Sequence, residues 1–161
     1  MGYEKQALVS FDFEICEEPG CTLTQGYWKT HSTYGPAPYD DAWALVPREA
    51  AIIEGADTPF FSSGQTWYEV LWTPPKGRAY YQLAHQYIAA RLNILNGASS
   101  TDRVDAALIW AEEFFTDRDP SVKLSDTLRD RARNKANLLD RYNNGEIGPG
   151  HCSEEEIIIP Q

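Results

Sequence analysis

Basic residues are scarce in this chain. Its 14 Lys and Arg stand against 24 Asp and Glu, giving a formal net charge of -10 and a pI near 4.7. A nucleic-acid binder displaces counterions with a basic footprint, and an anionic membrane is met by basic clusters, so neither is an expected partner. No run of about 18 apolar residues occurs, so no segment reads as a membrane-spanning helix. Met1 to Ile15 alternates instead of forming an apolar block, and no export signal is read there. The sequence also lacks C-x2-C, H-E-x-x-H, D-x-D-x-D-G and G-x-S-x-G spacings, which removes the strong local signatures of zinc, calcium and hydrolase sites. There is no internal repeat and no low-complexity segment.

What is present is a core. Hydrophobic residues make up 42% of 161 positions, which is one domain's length and enough apolar side chain to fold. Five Trp, nine Tyr and six Phe favour a rigid, well-packed interior. The acidic surface suits a soluble protein, a cationic partner or a divalent metal.

Three cysteines lie near the two ends: Cys16, Cys21 and Cys152. A bridge from either early cysteine to Cys152 closes a loop over most of the chain, worth roughly 4–5 kcal/mol by chain entropy. We expect Cys21–Cys152, with Cys16 the competing partner, and one cysteine left over.

Along the chain, Val9, Phe11, Phe13 and Ile15 alternate with polar residues, the period of a half-buried strand. Cys21 to Pro47 reads as irregular and dense in Gly, Pro, Tyr and Trp, with one short helix over Asp40–Val46 and a second over Arg48–Glu54. Gln65–Trp72 is a third helical stretch, stopped by Pro74-Pro75. Gly77–Asn96 carries apolar residues around most of its circumference, the pattern of a central buried helix. Its polar residues Gln82, His85, Gln86 and Asn93 fall on one stripe, and Asn96-Gly97 is its left-handed stop. Two amphipathic helices follow, Thr101–Thr116 with Ser99-Ser100 as caps, and Ser125–Tyr142. Ile157, Ile158 and Ile159 read as a short terminal strand before Pro160. The predicted fold is mainly α: a central buried helix, a loop-rich aromatic half, and short N- and C-terminal strands. Its parts are an N-terminal strand and turn over 1–20, a helical domain over 21–152, and an acidic tail over 153–161.

The stretch Cys21-Thr22-Leu23-Thr24-Gln25-Gly26-Tyr27-Trp28-Lys29-Thr30-His31 resembles the C-T-x-T-Q-G-Y-W-K-N-H signature of a recurrent domain in secreted and surface proteins of bacteria. Gly64–Trp72, Tyr80–Asn93 and Tyr142–Cys152 are similar to further stretches of that domain. Thr30 stands where the signature commonly has Asn. The resemblance implies an extracellular setting and modular use; it implies no reaction.

Several sites follow as expectations. His31, His85 and His151 are the chain's three histidines, and their convergence, completed by Cys21, Cys152 or Asp57, would hold a divalent metal. Asp40, Asp41, Asp117, Asp119 and Glu154 to Glu156 offer oxygen ligands for calcium. Cys21 with Gln25 or Gln86 supplies the atoms of an internal thioester. Tyr27, Trp28, Tyr34, Tyr39 and Trp43 crowd one segment and, if exposed, would stack on glycan rings. Against these, buried Gln, His and Asn on a central helix commonly satisfy irregular backbone nearby, and we prefer that account for the polar stripe. The leading functional expectation is a non-catalytic extracellular binding or assembly module. Its partner is protein, itself or a neighbouring domain, reached through the strands Val9–Ile15 and Ile157–Ile159. A metalloprotein and a glycan-binding module are the alternatives.

Overall fold

The computed structural model describes residues 19–46 and 55–153. The described residues form five α-helices: α1 (Gln25–Thr30), α2 (Trp67–Trp72), α3 (Ala79–Leu95), α4 (Asp102–Asp117) and α5 (Asp126–Asn143), with 3-10 turns at Asp41–Leu45 and Gly55–Asp57. The mainly helical expectation holds. Among the described residues there is no strand, only two isolated bridges, Thr22 with His151 and Pro59 with Thr66. Both terminal strands and the Arg48–Glu54 helix fall outside the described residues.

α3 is central because its sequence leaves it no polar face wide enough for solvent. Ala79, Tyr80, Leu83, Ala84, Tyr87, Ile88, Ala90 and Leu92 are all buried. It packs most extensively on α5 and also meets α1, α2 and α4. α5 turns Ala132, Ala136, Leu139 and Tyr142 inward at helical spacing, and its two alanines let the helix axes approach closely. Beside this pair, Phe60, Phe61, Trp67, Tyr87 and Phe115 meet mostly edge to face, with Phe60 and Phe115 centroids 4.8 Å apart.

Helix ends follow side-chain chemistry. Thr66 and Glu69 form a reciprocal capping box on α2, and Ser125 caps α5. The α4 cap is Thr101, whose hydroxyl accepts from the Val104 amide, and not Ser99-Ser100 as expected. Thr101 is the last residue with extended backbone before the helix, so it alone can reach that amide. The segment expected to be irregular contains α1: Thr24 caps it, and its one buried residue, Trp28, anchors it to the core.

The two ends of the described chain meet at one corner. Cys21 and Cys152 are disulfide-bonded, with Cα atoms 4.8 Å apart across 131 positions. Beside them the Thr22 amide donates to Gly150 O and the Cys152 amide to Thr22 O, a parallel pairing, so the chain passes this corner twice in the same direction. Two glycines make the corner. Gly20 has φ +73°, and a Cβ there would lie 2.5 Å from Gly97 O; Gly145 has φ +84°, and a Cβ there would lie 2.3 Å from the His151 amide nitrogen. No other residue fits either place.

Candidate functional site

A groove of about 590 Å3 runs between α1, the Pro74-Pro75 turn, α3 and α5. Three residues of the α3 stripe line it, Gln82, His85 and Gln86, joined by Gln25 and Lys29 from α1 and by Arg133, Asn137 and Asp140 from α5. The helical period explains the selection. Gln82, His85 and Gln86 lie three and four residues apart, and so do Arg133, Asn137 and Asp140, so each helix offers one polar face. α1 places Gln25 and Lys29 one turn apart on the third wall.

Internal bonds decide which groups are left for a ligand. Arg133 Nε donates to Gln82 Oε1 at 3.2 Å, and its Nη2 to Gly77 O at 2.8 Å. Asn143 Nδ2 donates to Gln86 Oε1 at 2.9 Å. Both glutamine oxygens therefore already accept one internal bond, while their NH2 groups make none among the described residues. Lys29 lies 4.3 Å from the ring centre of Trp72, a cation–π contact that holds the ammonium at the groove. Two cations face one carboxylate, Asp140. The lining is donor-rich and carries no hydroxyl or thiol. It fits a partner that brings carbonyl or carboxylate oxygens, and it supplies no serine or cysteine nucleophile.

His85 is buried, with Nε2 2.8 Å from Val70 O and 3.1 Å from Thr73 O. Two carbonyl acceptors fix the hydrogen on Nε2, so neutral His85 keeps only the Nδ1 lone pair. Burial lowers its pKa; the two carbonyls oppose this, and the Lys29 charge adds to the lowering. The sign for stability follows. Above pH about 6.5 the ring is neutral both folded and unfolded. Below it the unfolded chain gains a proton that the folded one resists, so stability falls as pH drops from about 6.5. We expect Tm to decline between pH 7.5 and 5.5 and the decline to shrink in His85→Gln, as read by calorimetry; equal declines would remove this assignment.

The other expected sites sort cleanly. The three histidines do not converge. His31 stacks on Tyr27 with ring centres 3.9 Å apart and pairs through Nδ1 with Pro38 O, while His151 pairs through Nδ1 with Cys152 O. Among the described residues no group of three or more His, Cys, Asp or Glu is placed to hold a metal ion. Two of the carboxylates considered for calcium have structural work: Asp40 caps the 3-10 turn through the Ala42 amide and accepts from Tyr27 Oη at 2.8 Å, and Asp119 accepts from the Ser121 amide. Glu154 to Glu156 lie outside the described residues. Cys21 sulfur is bonded to Cys152, which leaves no thioester with Gln25 or Gln86. The aromatic surface is corrected in part. Trp28 and Trp43 are fully buried, Tyr27 is half-buried, and Tyr34 is exposed with its hydroxyl donating to Asp57. The tryptophans are inside because each indole N–H finds an acceptor there: Trp28 donates to Asn93 Oδ1 at 3.1 Å and Trp43 to Trp28 O at 3.2 Å.

The chain matches no family model, no curated protein and no solved structure. Its own geometry therefore carries the functional reading.

The polar stripe divides by role. Asn93 is wholly internal and bonds the backbone of Leu23, as the preferred account expected. Gln82, His85 and Gln86 do structural work at one end and face the groove with the other. Lys29, Arg133, Asn137 and Asp140 were missed from sequence. The three on α5 sit on an exposed-looking charged face, and only the packing of α5 on α3 turns that face into a wall.

Proposed function

We propose that this chain is a non-catalytic binding and assembly module of an exported bacterial protein, and that the donor-rich groove is where it holds an extended acidic segment of a partner. The single observation that carries the reading is the groove's charge and bonding: Lys29, Arg133 and the free NH2 groups of Gln82 and Gln86 converge on one cleft of a strongly acidic protein. Long cations of that kind attract carboxylates, and the amide NH2 groups donate to an extended backbone's carbonyl oxygens. The disulfide supports an oxidising setting, because such bonds persist outside the cytosol. The resemblance at Cys21–His31 supports the same setting.

The partner we favour is a second copy. The tail Glu154-Glu155-Glu156-Ile157-Ile158-Ile159 joins three carboxylates to three β-branched residues, the charge the groove complements. Sedimentation over about 1 μM to 1 mM, a range that brackets weak to moderate affinities, tests this. We expect concentration-dependent, salt-sensitive self-association that is lost when residues 154–161 are removed and when Lys29→Glu inverts one wall. A chain that stays monomeric throughout, or oligomers indifferent to both changes, would overturn the reading.

A further inference from the structure

A second cavity of about 390 Å3 lies where the loop of Thr58 and Phe61 meets α2, α3 and α4, away from the groove and sharing no lining residue with it. Its size falls within the range of small-ligand sites, about 300–1,000 Å3. Three of its lining residues are aromatic: Phe61, Trp67 and Tyr87. Four others are polar: Thr58, Arg91, Glu112 and Thr116, the last already donating its hydroxyl to Glu112 O at 2.7 Å.

Thr58, Glu112 and Arg91 have unspent capacity. Thr58 is 3% exposed, and its Oγ1 has no hydrogen-bond partner. A buried hydroxyl without a partner costs about 1–3 kcal/mol, so its persistence calls for an explanation. Glu112 accepts from Tyr87 Oη at 2.9 Å through Oε2, which leaves Oε1. Arg91 makes no ion pair or hydrogen bond among the described residues, although it sits one turn after Tyr87 on the same face of α3. Phe61 adds backbone strain: at φ +48° a bulky residue occupies the left-handed region, and this conformation sets its ring 5.7 Å from Tyr87. Strain, an orphaned hydroxyl and an unpaired guanidinium thus coincide at one aromatic-walled cavity.

We propose that this cavity binds a small sugar acid of the hexuronate class. The carboxylate meets the Arg91 guanidinium in a two-pronged pair, the geometry that distinguishes arginine. Ring hydroxyls satisfy Thr58 Oγ1 and Glu112 Oε1. The sugar's C–H face lies on the aromatic wall, as apolar faces do on Trp and Tyr. A neutral sugar would leave Arg91 unanswered. This site is independent of the groove and of the assembly reading.

The test uses the whole chain, titrated with glucuronate, glucose or phenylalanine while the Trp67 indole resonance is followed by NMR. Glucuronate should shift it with a Kd near or below about 1 mM, and glucose should bind at least about tenfold more weakly, the worth of one charge-assisted pair. Arg91→Gln should erase that preference. Thr58→Val should weaken glucuronate binding while leaving Tm equal or higher, because it removes the unpaired hydroxyl. Lys29→Glu should leave the titration unchanged, which separates this site from the groove. No shift up to about 50 mM, far above the expected Kd, would overturn the proposal. So would equal binding of glucose, or tighter binding of phenylalanine.

Discussion

Reducing the Cys21–Cys152 bridge should remove about 5 kcal/mol of folding stability, because the bond closes a loop of 131 positions and the chain-entropy cost grows with the logarithm of that length. Domains of this size hold only about 5–15 kcal/mol in total, so the loss is a large fraction of everything available. At roughly 2–4 °C per kcal/mol, Tm should fall by roughly 10–20 °C. The cleaner variant is the double substitution Cys21→Ser with Cys152→Ser. Changing Cys152 alone frees Cys21 five positions from Cys16, and a short substitute bridge between those two would blur the result. Scanning calorimetry of native, reduced and doubly substituted protein is the measurement. The last two should agree with each other. A reduced protein that melts with the native one, its thiols shown free by alkylation, would mean that the Thr22–Cys152 backbone pairing and the glycine corner hold the termini without sulfur.

How much of this was legible beforehand depended on the length scale of each signal. The buried helix α3 was visible because one stretch of sequence carries apolar residues all round it, and a local pattern needs no partner to be read. The cysteine pairing was readable to within one alternative, since only the folded corner decides between Cys16 and Cys21. The α1 helix was missed because six residues containing Gly26, Tyr27, Trp28 and Thr30 have poor helix propensity. What stabilises them is the Thr24 cap and the long-range bond from Trp28 to Asn93. The same bond decides which way the aromatic segment faces: a Trp in a loop-rich stretch reads as core or as glycan surface until its N–H acceptor, 65 positions away, is known. Half of the groove was legible as the stripe on α3. Its other half comes from α1 and α5, and no periodicity within either helix announces that they share a cleft. The aromatic cavity gave no sequence signal, since Thr58, Arg91 and Glu112 are ordinary residues until packing strips them of partners.

Asn93→Ala should be the most damaging single substitution in the core. Asn93 is fully buried and uses every hydrogen-bonding position that it has. Its Oδ1 accepts from the Leu23 amide at 2.8 Å and from Trp28 Nε1 at 3.1 Å; its Nδ2 donates to Leu23 O and to Asn143 Oδ1, both at 2.9 Å. Truncation leaves four buried polar groups without their partner. At about 1–3 kcal/mol for each unsatisfied group, even partial relaxation leaves a loss of about 4 kcal/mol or more, a size confined to broken buried networks and large cavities. Asn93→Asp separates bonding from volume. It keeps the shape and the two accepted bonds, yet turns an acceptor toward Leu23 O and Asn143 Oδ1, so it should be destabilised nearly as much near neutral pH and less when acid protonates it. Urea unfolding followed by tryptophan emission reads both, with Trp28 reporting the site directly. Asn143 then extends the consequence outward. It donates to Gln86 O and Oε1, which fixes the glutamine whose free amide lines the groove. An Asn93 variant that still folds should therefore also lose the tail-dependent self-association. If Asn93→Ala unfolds within about 1 kcal/mol of the native chain, the usual spread for an ordinary substitution, then this asparagine is not what joins α1, α3 and α5, and the groove's geometry must be held by apolar packing alone.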